Sequence, residues 1–413
     1  MSPDPPPAPP PPLDRPLVVV CVPGNRRPAL FTEAARAAGL ADPVALPWRN
    51  LADPAAGPVT LPEGALVRVD SAGEDAATAR LLRGWSHDPD LHRAEGTADQ
   101  HRGFVRALGR LSEAVAATPG AHLVQDTGDL ADLCDKRRCH ARLATAGVPV
   151  APALPGPVTG YDPLRATMAE HRWSRVFVKP AHGSSASGVV ALATGSGGRI
   201  RAVTSADLVR DGEGPVALYN SLRLRTYTTG AEVAAVVDAL APDGLHVERW
   251  VPKAGFAGRV VDLRVLVVAG RATHVVVRSS RSPMTNLHLG NARGDLAALR
   301  ESVGPRVWRE AMATAEAAAA VFPGTLHAGV DLMASPGWRQ FTVCEVNAFG
   351  DLLPGVLHEG RSTHAEQLHA LATGRFPVPP PVPSRPASRP LPVRPLPRKP
   401  DEHRHHQHRQ TQR

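Results

Sequence analysis

The stretch VFVKPAHGSSASGVV, residues 176–190, decides how this sequence is interpreted. Its pattern is a strand that ends near Lys179, a loop of small residues that reaches Gly188, and a second strand. Small residues let backbone N–H groups approach an anion closely, and serine hydroxyls add further donors. The order of residues excludes a Walker loop, in which the lysine follows the glycines. The stretch therefore predicts a phosphate-binding loop or, as the alternative, a flexible hairpin turn.

Lysine is rare in this chain, which has 47 basic residues but only four lysines. A compact ammonium group fits between phosphate oxygens where a planar guanidinium is bulkier. Lys179 stands at the loop, and Lys136 stands in DKRRCH beside two arginines. A lysine that persists in such an arginine-rich sequence favours the phosphate-binding interpretation at both positions.

The formal net charge of +8 does not indicate nucleic-acid binding, because its location is terminal. Residues 377–413 contain eight Arg or Lys and two acids, a net +6, so the rest of the chain carries about +2 (8 − 6). This proline-, arginine- and histidine-rich tail and the proline-rich lead 1–14 lack the apolar residues of a core, and both are predicted to be disordered.

The composition favours a cytoplasmic protein that does not bind membranes. No apolar run is long enough to span a bilayer, and the first residues lack the basic start and apolar stretch of a signal peptide. The four cysteines include no C-x-x-C pair, and we expect them to be reduced and structural. Homo-oligomerisation is left open.

The order of strand and helix patterns predicts an α/β protein of two parts. A strand at 16–22 and a helix ending at Gly39 open a first α/β domain at 15–130, with further helices at 104–117 and 129–146. The remainder, 131–376, contains a hairpin at 259–281 that turns at 269–271, a long helix at 295–322 and two late strands.

Oxygen ligands cluster in the late strands AGVDLM and VCEVN. Side chains alternate along a strand, so Glu345 and Asn347 share one face, and we expect Cys344 to point into the core. Together with Asp331 they form a set of hard oxygen donors suited to magnesium. The alternative is that these polar side chains simply face water.

These motifs, in this order, resemble the ATP-grasp superfamily over about 131–357. The series runs from Lys136 through Lys179 and its loop, VERWVPK and DLR, and it closes with GVDLM and EVN. The glutamate-ligase-like branch is the most similar, and the ending EVNAFGDLLPG resembles a little-characterised bacterial subgroup. The resemblance implies an ATP-grasp fold of two α+β subdomains, one a lid at about 148–250, after a small Rossmann-like domain.

The resemblance also implies a ligand set of ATP and Mg²⁺, two ions that Mn²⁺ can replace. The residues that would bind the nucleotide are Lys136, Lys179, Gly183, Ser184, Ser185, Ser187, Gly188, Glu248, Trp250, Val251 and Lys253. The residues that would bind the metal ions are Asp331, Glu345 and Asn347.

The hairpin adds two arginines as candidate catalytic residues. A turn at 269–271 makes paired residue numbers sum to about 540, so Asp262 faces Arg278, and Arg264 shares their face. Two arginines next to a magnesium site can clamp a transferring phosphoryl group. The alternative is a structural Asp262–Arg278 salt bridge. The segment 278–295 is an open question between a substrate loop and a solvated loop.

We expect an ATP- and Mg-dependent ligase that joins a carboxylate to an amine, or less often a thiol, through an acylphosphate intermediate. Small molecules or peptides would be its substrates. One alternative is an ATP-grasp kinase that phosphorylates a hydroxyl of a small acidic substrate. Five arginines support it: Arg223, Arg225, Arg264, Arg278 and Arg281. Another is a nucleotide-binding scaffold with low turnover, whose tail recruits partners.

Overall fold

The computed structural model describes residues 13–73, 75–184, 186–210 and 216–379. The lead 1–14 and the tail 377–413, which we predicted to be disordered, lie outside the described residues except for 13–14 and 377–379. Ser185 of the predicted phosphate loop also lies outside them. Within the described ranges, no helix has both the length and the apolar character needed to cross a membrane.

The first part of the chain is built on a four-stranded parallel sheet. Its strands are β1 (Leu17–Cys21), β2 (Val44–Pro47), β3 (Leu66–Val69) and β4 (His122–Leu123). They lie in the order β2-β1-β3-β4. Every residue of β1 and β3 is buried, because apolar residues cover both faces of a parallel sheet. Its helices are α1 (Arg26–Ala37), α2 (Trp48–Ala52), α3 (Ala76–Arg83), α4 (Thr97–Ala117) and α5 (Thr127–Leu133).

The helix predicted at 129–146 is two helices, α5 and α6 (Lys136–Thr145). Asp135 separates them because it is the N-cap of α6, where its side chain accepts hydrogen bonds from the backbone N–H groups of Arg137 and Arg138. This cap makes Lys136 the first residue of a helix, a position that sequence periodicity did not predict.

A second sheet, which we call the lid sheet, is antiparallel and has the order β8-β7-β6-β5-β9. Two helices, α7 (Tyr161–Glu170) and α8 (Gly230–Leu240), pack against it and share its apolar core. Its strands are β5 (Arg175–Pro180), β6 (Val190–Thr194), β7 (Ile200–Val209), β8 (Ala217–Tyr227) and β9 (Leu245–Arg249). A capping box between Thr229 and Glu232 fixes the start of α8.

The lid sheet is tied to the first part of the chain by a segment just before α4. The backbone N–H of Ala94 donates to Leu218 O at 2.9 Å, and that of Asn220 donates to His92 O at 2.6 Å. Asp243 accepts hydrogen bonds from the backbone N–H of Gly96 at 2.7 Å. Residues 92–94 therefore extend the lid sheet at its β8 edge, and Gly96 ties the same segment to Asp243 just before β9.

The third sheet has six strands and carries most of the polar motifs. They are β10 (Gly255–Phe256), β11 (Arg259–Val268), β12 (Arg271–Ser280), β13 (Ala292–Arg293), β14 (His327–Ala334) and β15 (Phe341–Asn347). The order is β13-β12-β11-β14-β15, with β10 also paired to β11. The remaining helices are α9 (Leu296–Ala320), kinked at Gly304, and α10 (Thr363–Ala372).

The β11–β12 hairpin turns on two residues, not on the predicted three. Ala269 and Gly270 both have positive φ, 47° and 77°, and Arg271 already belongs to β12. Such a turn alone would make paired numbers sum to 539, as Val267 and Ala272 do. An irregularity between Val265 and Val267 restores the predicted sum of 540.

The six-stranded sheet and the first sheet share two apolar clusters, whereas the lid sheet has a core of its own. The buried aliphatic residues of β11 and β14 that alternate along each strand face α9. The opposite face, which we call the polar face, carries Asp262, Arg264 and Asp331. The fold is thus α/β, as predicted. The boundary that we placed between residues 130 and 131 stays a prediction.

Candidate nucleotide-binding site

A cleft lies between the lid sheet and the polar face of the six-stranded sheet. Including the space open to solvent, it encloses about 830 Å³. Most of the predicted site residues line it: Lys136, Lys179, Gly183, Ser184, Ser187, Glu248, Val251, Lys253, Arg278, Asp331 and Glu345. Residues far apart in the chain thus converge on one cavity, with both sheets contributing walls.

Lys179 contributes its ammonium group from the lid side of the cleft. Its Nζ lies 2.7 Å from Glu248 Oε2, and the other carboxylate oxygen of Glu248 lies 2.8 Å from His246 Nε2. Burial would raise the pKa of Glu248, but Lys179 and His246 outweigh burial and lower this pKa to about 2. Glu248 therefore stays ionised and holds Lys179 extended toward the cleft.

Lys136 joins the opposite wall to the predicted phosphate loop. Its Nζ lies 3.0 Å from Glu345 Oε1 and also donates to the carbonyl oxygen of Gly183. The backbone N–H of Lys136 donates to Ala181 O at 2.8 Å. The N-terminus of α6 is therefore bonded to the start of the loop, and the lysine bridges the loop and β15.

The loop has left-handed backbone conformations at two of its described residues. Ala186 and Gly188 have positive φ, 61° and 66°. A Cβ on Gly188 would come within 2.9 Å of Pro180 and 3.1 Å of Leu240. Both the positive φ and this lack of space therefore favour glycine at position 188. Gly188 shapes the loop but does not line the cleft, whereas Gly183, Ser184 and Ser187 do.

The predicted pairing of Asp262 with Arg278 is confirmed. Asp262 Oδ1 accepts from Arg278 Nε at 2.7 Å, and Arg278 Nη1 donates to Asp331 Oδ2 at 3.2 Å. Arg264 stands directly opposite Asp331 on the neighbouring strand and binds both of its oxygens. Burial alone would raise the pKa of Asp331, but Arg264 and Arg278 outweigh it and the pKa lies below its usual value.

The three predicted metal ligands lie on one face of β14 and β15. Asp331 is directly opposite Glu345, and Asn347 is opposite Gly329. The amide nitrogen of Asn347 donates to Gly329 O at 3.3 Å, which leaves its amide oxygen as the atom that could ligate a cation. Within the described ranges no group of three or more His, Cys, Asp or Glu side chains is arranged to hold a metal. The donor set, two carboxylates and an amide, nonetheless fits a hard cation.

Cys344 stands elsewhere than predicted, and four predicted site residues do not line the cleft: Gly188, Trp250, Arg264 and Asn347. Cys344 lines the cleft and does not point into the core, because the register shifts after Asp331: Leu332 pairs with Val343, and Cys344 is the unpaired extra residue. Burial raises the pKa of its thiol to about 12. Trp250 does not line the cleft and instead packs on Phe177, with ring centroids 5.1 Å apart.

Sequence reasoning missed several residues of the cleft wall. Ala151, Phe177, Val189 and Met333 supply apolar surface, and the segment 283–286 closes one side. Their types carry no signal of their own, since apolar residues of this kind are ordinary in any core. Of the arginines that supported a kinase, Arg278 lines the cleft and Arg264 bonds Asp331 of its wall. The other three do not line it: Arg223 and Arg281 are exposed, and Arg225 pairs with Asp207 at 2.5 Å.

The long ending AFGDLLPG serves the contact between the two parts of the chain. Asp351 is fully buried and accepts from Arg68 of β3 and Arg27 of α1. Gly350 lies so close to Gly329 that a Cβ on either residue would overlap the backbone of the other. The segment after Asn347 is thus folded tightly onto the six-stranded sheet and anchored to β3 and α1.

Comparison with known proteins gives matches at the level of structure. No family model matches the sequence, and no curated protein matches it. The crystal structure of the D-cycloserine synthetase DcsG is similar with a TM-score of 0.52 and 16% identity, over 86% of this chain and 99% of that chain.

Two further solved structures are similar at lower scores. The ATP-grasp ligase PsnB, complexed with a minimal precursor, has a TM-score of 0.46 and 18% identity, covering 88% of this chain and 100% of that one. The macrocyclase MdnC from Microcystis aeruginosa MRC, bound with the precursor peptide MdnA, has a TM-score of 0.46 and 11% identity over 87% and 99%.

The similarity to DcsG shows the fold, and it agrees with the sheets described above: this chain has the ATP-grasp fold. The prediction of fold class is therefore confirmed. The glutamate-ligase-like branch and the subgroup stay predictions.

Proposed function

We propose that the protein is an ATP- and Mg²⁺-dependent ligase that joins a carboxylate to an amine. The observation that carries the proposal is the convergence of Lys136, Lys179 and Lys253 with Arg278 and the Asp331–Glu345 pair in one cleft between two sheets. Five cationic groups lie in and beside this cavity, counting Arg264, against the four carboxylates of Glu248, Asp262, Asp331 and Glu345. Together with bound Mg²⁺, such a set would suit a polyanion such as a triphosphate.

The roles of the residues follow from their positions. The apolar wall of Ala151, Phe177, Val251 and Met333 would receive the purine ring, and the 183–188 loop would cover the phosphates. Lys136 and Lys179 would neutralise phosphate oxygens, and Arg264 and Arg278 would stabilise charge that develops at the γ-phosphate. Asp331, Glu345 and Asn347 would hold Mg²⁺, which neutralises phosphate charge when bound.

The reaction needs no nucleophilic side chain. A substrate carboxylate attacks the γ-phosphorus, the bond to the β-phosphate oxygen breaks, and ADP leaves with formation of an acylphosphate. An amine then attacks the acyl carbon, phosphate departs, and an amide forms with loss of a proton from the amine. Positioning and charge neutralisation are what the protein supplies. The raised pKa of the Cys344 thiol keeps it protonated near neutral pH, so a thiolate attack from the wall is disfavoured.

The test is a screen for ADP release with Mg-ATP against a panel of amino acids and peptides offered in acid–amine pairs. We expect ADP and free phosphate in equal amounts for a productive pair. Release of AMP without ADP would contradict the acylphosphate scheme. A stable phosphorylated product without free phosphate would support the kinase alternative, and nucleotide binding without turnover in any pair would support the scaffold.

A further inference from the structure

A segment that we call the strap, residues 281–291, leads from the end of β12 across one side of the cleft. Pro283–Asn286 line the cavity. Met284 is 5% exposed and packs into a cluster with Val189 and Ala191 at the start of β6, on the lid side. The strap therefore spans from the six-stranded sheet, where it begins, to the lid sheet.

The next residue of the strap, Thr285, bonds in the other direction. Its hydroxyl donates to Asp262 Oδ2 and accepts from Lys253 Nζ at 2.7 Å. Thr285 and Asp262 are 3% and 2% exposed. Because a threonine hydroxyl has one proton to donate, these two bonds fix its orientation.

Asp262 connects this hydroxyl to the candidate catalytic arginine. Oδ1 of the same carboxylate accepts from Arg278 Nε at 2.7 Å, while Oδ2 also accepts from Lys253 Nζ at 2.9 Å. Burial would raise the pKa of Asp262, but Arg278 and Lys253 lower it far below its usual value. Asp262 thus remains a carboxylate, and both of its oxygens accept hydrogen bonds. Because the group is rigid, loss of a bond at Oδ2 would let it rotate and would move Oδ1, which holds Arg278.

We propose that Thr285 is a positioning residue: its hydroxyl holds Asp262, and through it Arg278, in place when Met284 seats the strap against the lid. This inference rests on the proposed function, since it concerns the arginine assigned to the γ-phosphate. The adjacent residues Met284 and Thr285 thereby couple the position of the lid sheet to the arginine that would hold the transferring phosphoryl group.

The strap does not need the Thr285 hydroxyl for its own shape. The side-chain amide of Asn291 donates to Met284 O at 2.8 Å and to Asn286 O at 2.9 Å, and the side chain of Asn286 accepts from the backbone N–H of His288. These bonds close the strap on itself. Thr285→Val therefore removes the link to Asp262 and keeps the branched shape of the side chain.

The test compares two probes that need no acceptor substrate, Mg-ADP and Mg-ADP with aluminium fluoride, which mimics a transferring phosphoryl group. Affinities are measured by calorimetry for the wild type, Thr285→Val and Thr285→Ser. The matched control is Thr314→Val on α9, where the hydroxyl bonds Glu310 O of the same helix. Thermal unfolding checks that each variant folds, and Thr285→Ala replaces Thr285→Val, with the same criteria, if the latter does not.

We expect Thr285→Val to weaken binding of the fluoride complex about tenfold while its affinity for Mg-ADP stays near that of the wild type, because the interaction serves the developing charge. Thr285→Ser should restore the loss. Equal weakening of both probes, no weakening of either, or no rescue by serine would overturn the inference. A wild type that binds neither probe would instead refute the proposed function.

Discussion

Lys136 and Glu345 form an ion pair, with 3.0 Å between Nζ and Oε1, across the space assigned to the triphosphate. One partner begins α6 and the other lies in β15, so the pair joins two walls of the cleft. Each group also has a proposed ligand, phosphate for the lysine and Mg²⁺ for the carboxylate. The pair therefore stabilises the ligand-free site by holding together two charges that Mg-nucleotide would separate.

This relationship predicts the effect of Glu345→Gln. We expect the variant to bind ADP at least as tightly as the wild type without Mg²⁺, because Lys136 loses its competing partner, but to lose the gain in affinity that Mg²⁺ provides. Calorimetric titrations with ADP, with and without Mg²⁺, measure both terms. Glu310→Gln on the exposed side of α9 is the matched control. An undiminished Mg²⁺ effect would show that Glu345 is not a ligand.

Lys179→Arg tests whether lysine is required for its shape and not for its charge. The side chain of Lys179 is 13% exposed and lies 2.7 Å from Glu248, and a planar guanidinium is bulkier than an ammonium group at such a position. We expect affinity for Mg-ADP to fall about tenfold, or ~1.4 kcal/mol, while the charge is unchanged.

The control for this variant is Lys399→Arg in the tail, which makes the same chemical change at the only lysine not assigned to the site. Thermal unfolding shows whether Lys179→Arg has also lost stability. If both variants bind Mg-ADP like the wild type, lysine at 179 carries no specific function, and its survival in an arginine-rich sequence is an accident of composition.

The parts of the site that lie within one motif could be predicted from the sequence. The loop after Lys179, the shared face of Glu345 and Asn347 and the opposition of Asp262 and Arg278 follow from strand alternation and hairpin register. The predicted pairing of Asp262 with Arg278 is correct only because two deviations cancel. The turn is one residue shorter than predicted, and the irregularity near Val265 restores the register before Asp262.

What could not be predicted depends on contacts between distant segments. The place of Cys344 depends on a one-residue register shift against β14, and nothing in VCEVN marks it. The partners of Asp351 are likewise distant in sequence, since Arg68 and Arg27 come from the first part of the chain. Thr285 is an ordinary polar residue of a loop until the fold brings it to Asp262.

The contact between the first sheet and the six-stranded sheet predicts a pH dependence of stability. His327 on β14 is buried beside Asp351, Arg68 and His364. Burial, aided by the nearby cations, lowers its pKa to about 3. An unfolded histidine titrates near 6.5. Between these values the unfolded chain binds the additional proton. The contribution of His327 to the free energy of unfolding is therefore fully present above pH 6.5 and is lost as the pH falls toward 3.

We expect His327→Gln to flatten this part of the stability profile. A single such histidine contributes a slope of at most about 1.4 kcal/mol per pH unit to the free energy of unfolding. In the variant most of this slope should be absent between pH 6 and 4. Urea denaturation at a series of pH values measures the slope. His92→Gln, at an exposed position, should leave it unchanged. Equal slopes for the wild type and His327→Gln would mean that His327 is protonated in the folded protein.

The second two-residue turn of the six-stranded sheet gives a prediction about stability alone. Ala257 and Gly258 connect β10 to β11 with φ of 49° and 74°, and both are exposed. An alanine in the left-handed region is strained by its Cβ, whereas asparagine tolerates this conformation and Asn-Gly is the preferred pair for such a turn. Ala257→Asn should therefore raise the free energy of unfolding by about 0.5–1 kcal/mol, seen as a higher urea midpoint.

The control is Ala313→Asn, the same change at an exposed position inside α9. It should lower the free energy of unfolding by about 0.5 kcal/mol, because asparagine is a poorer helix former than alanine. If Ala257→Asn destabilises the protein as Ala313→Asn does, the turn at 257–258 does not have the left-handed geometry on which this prediction depends.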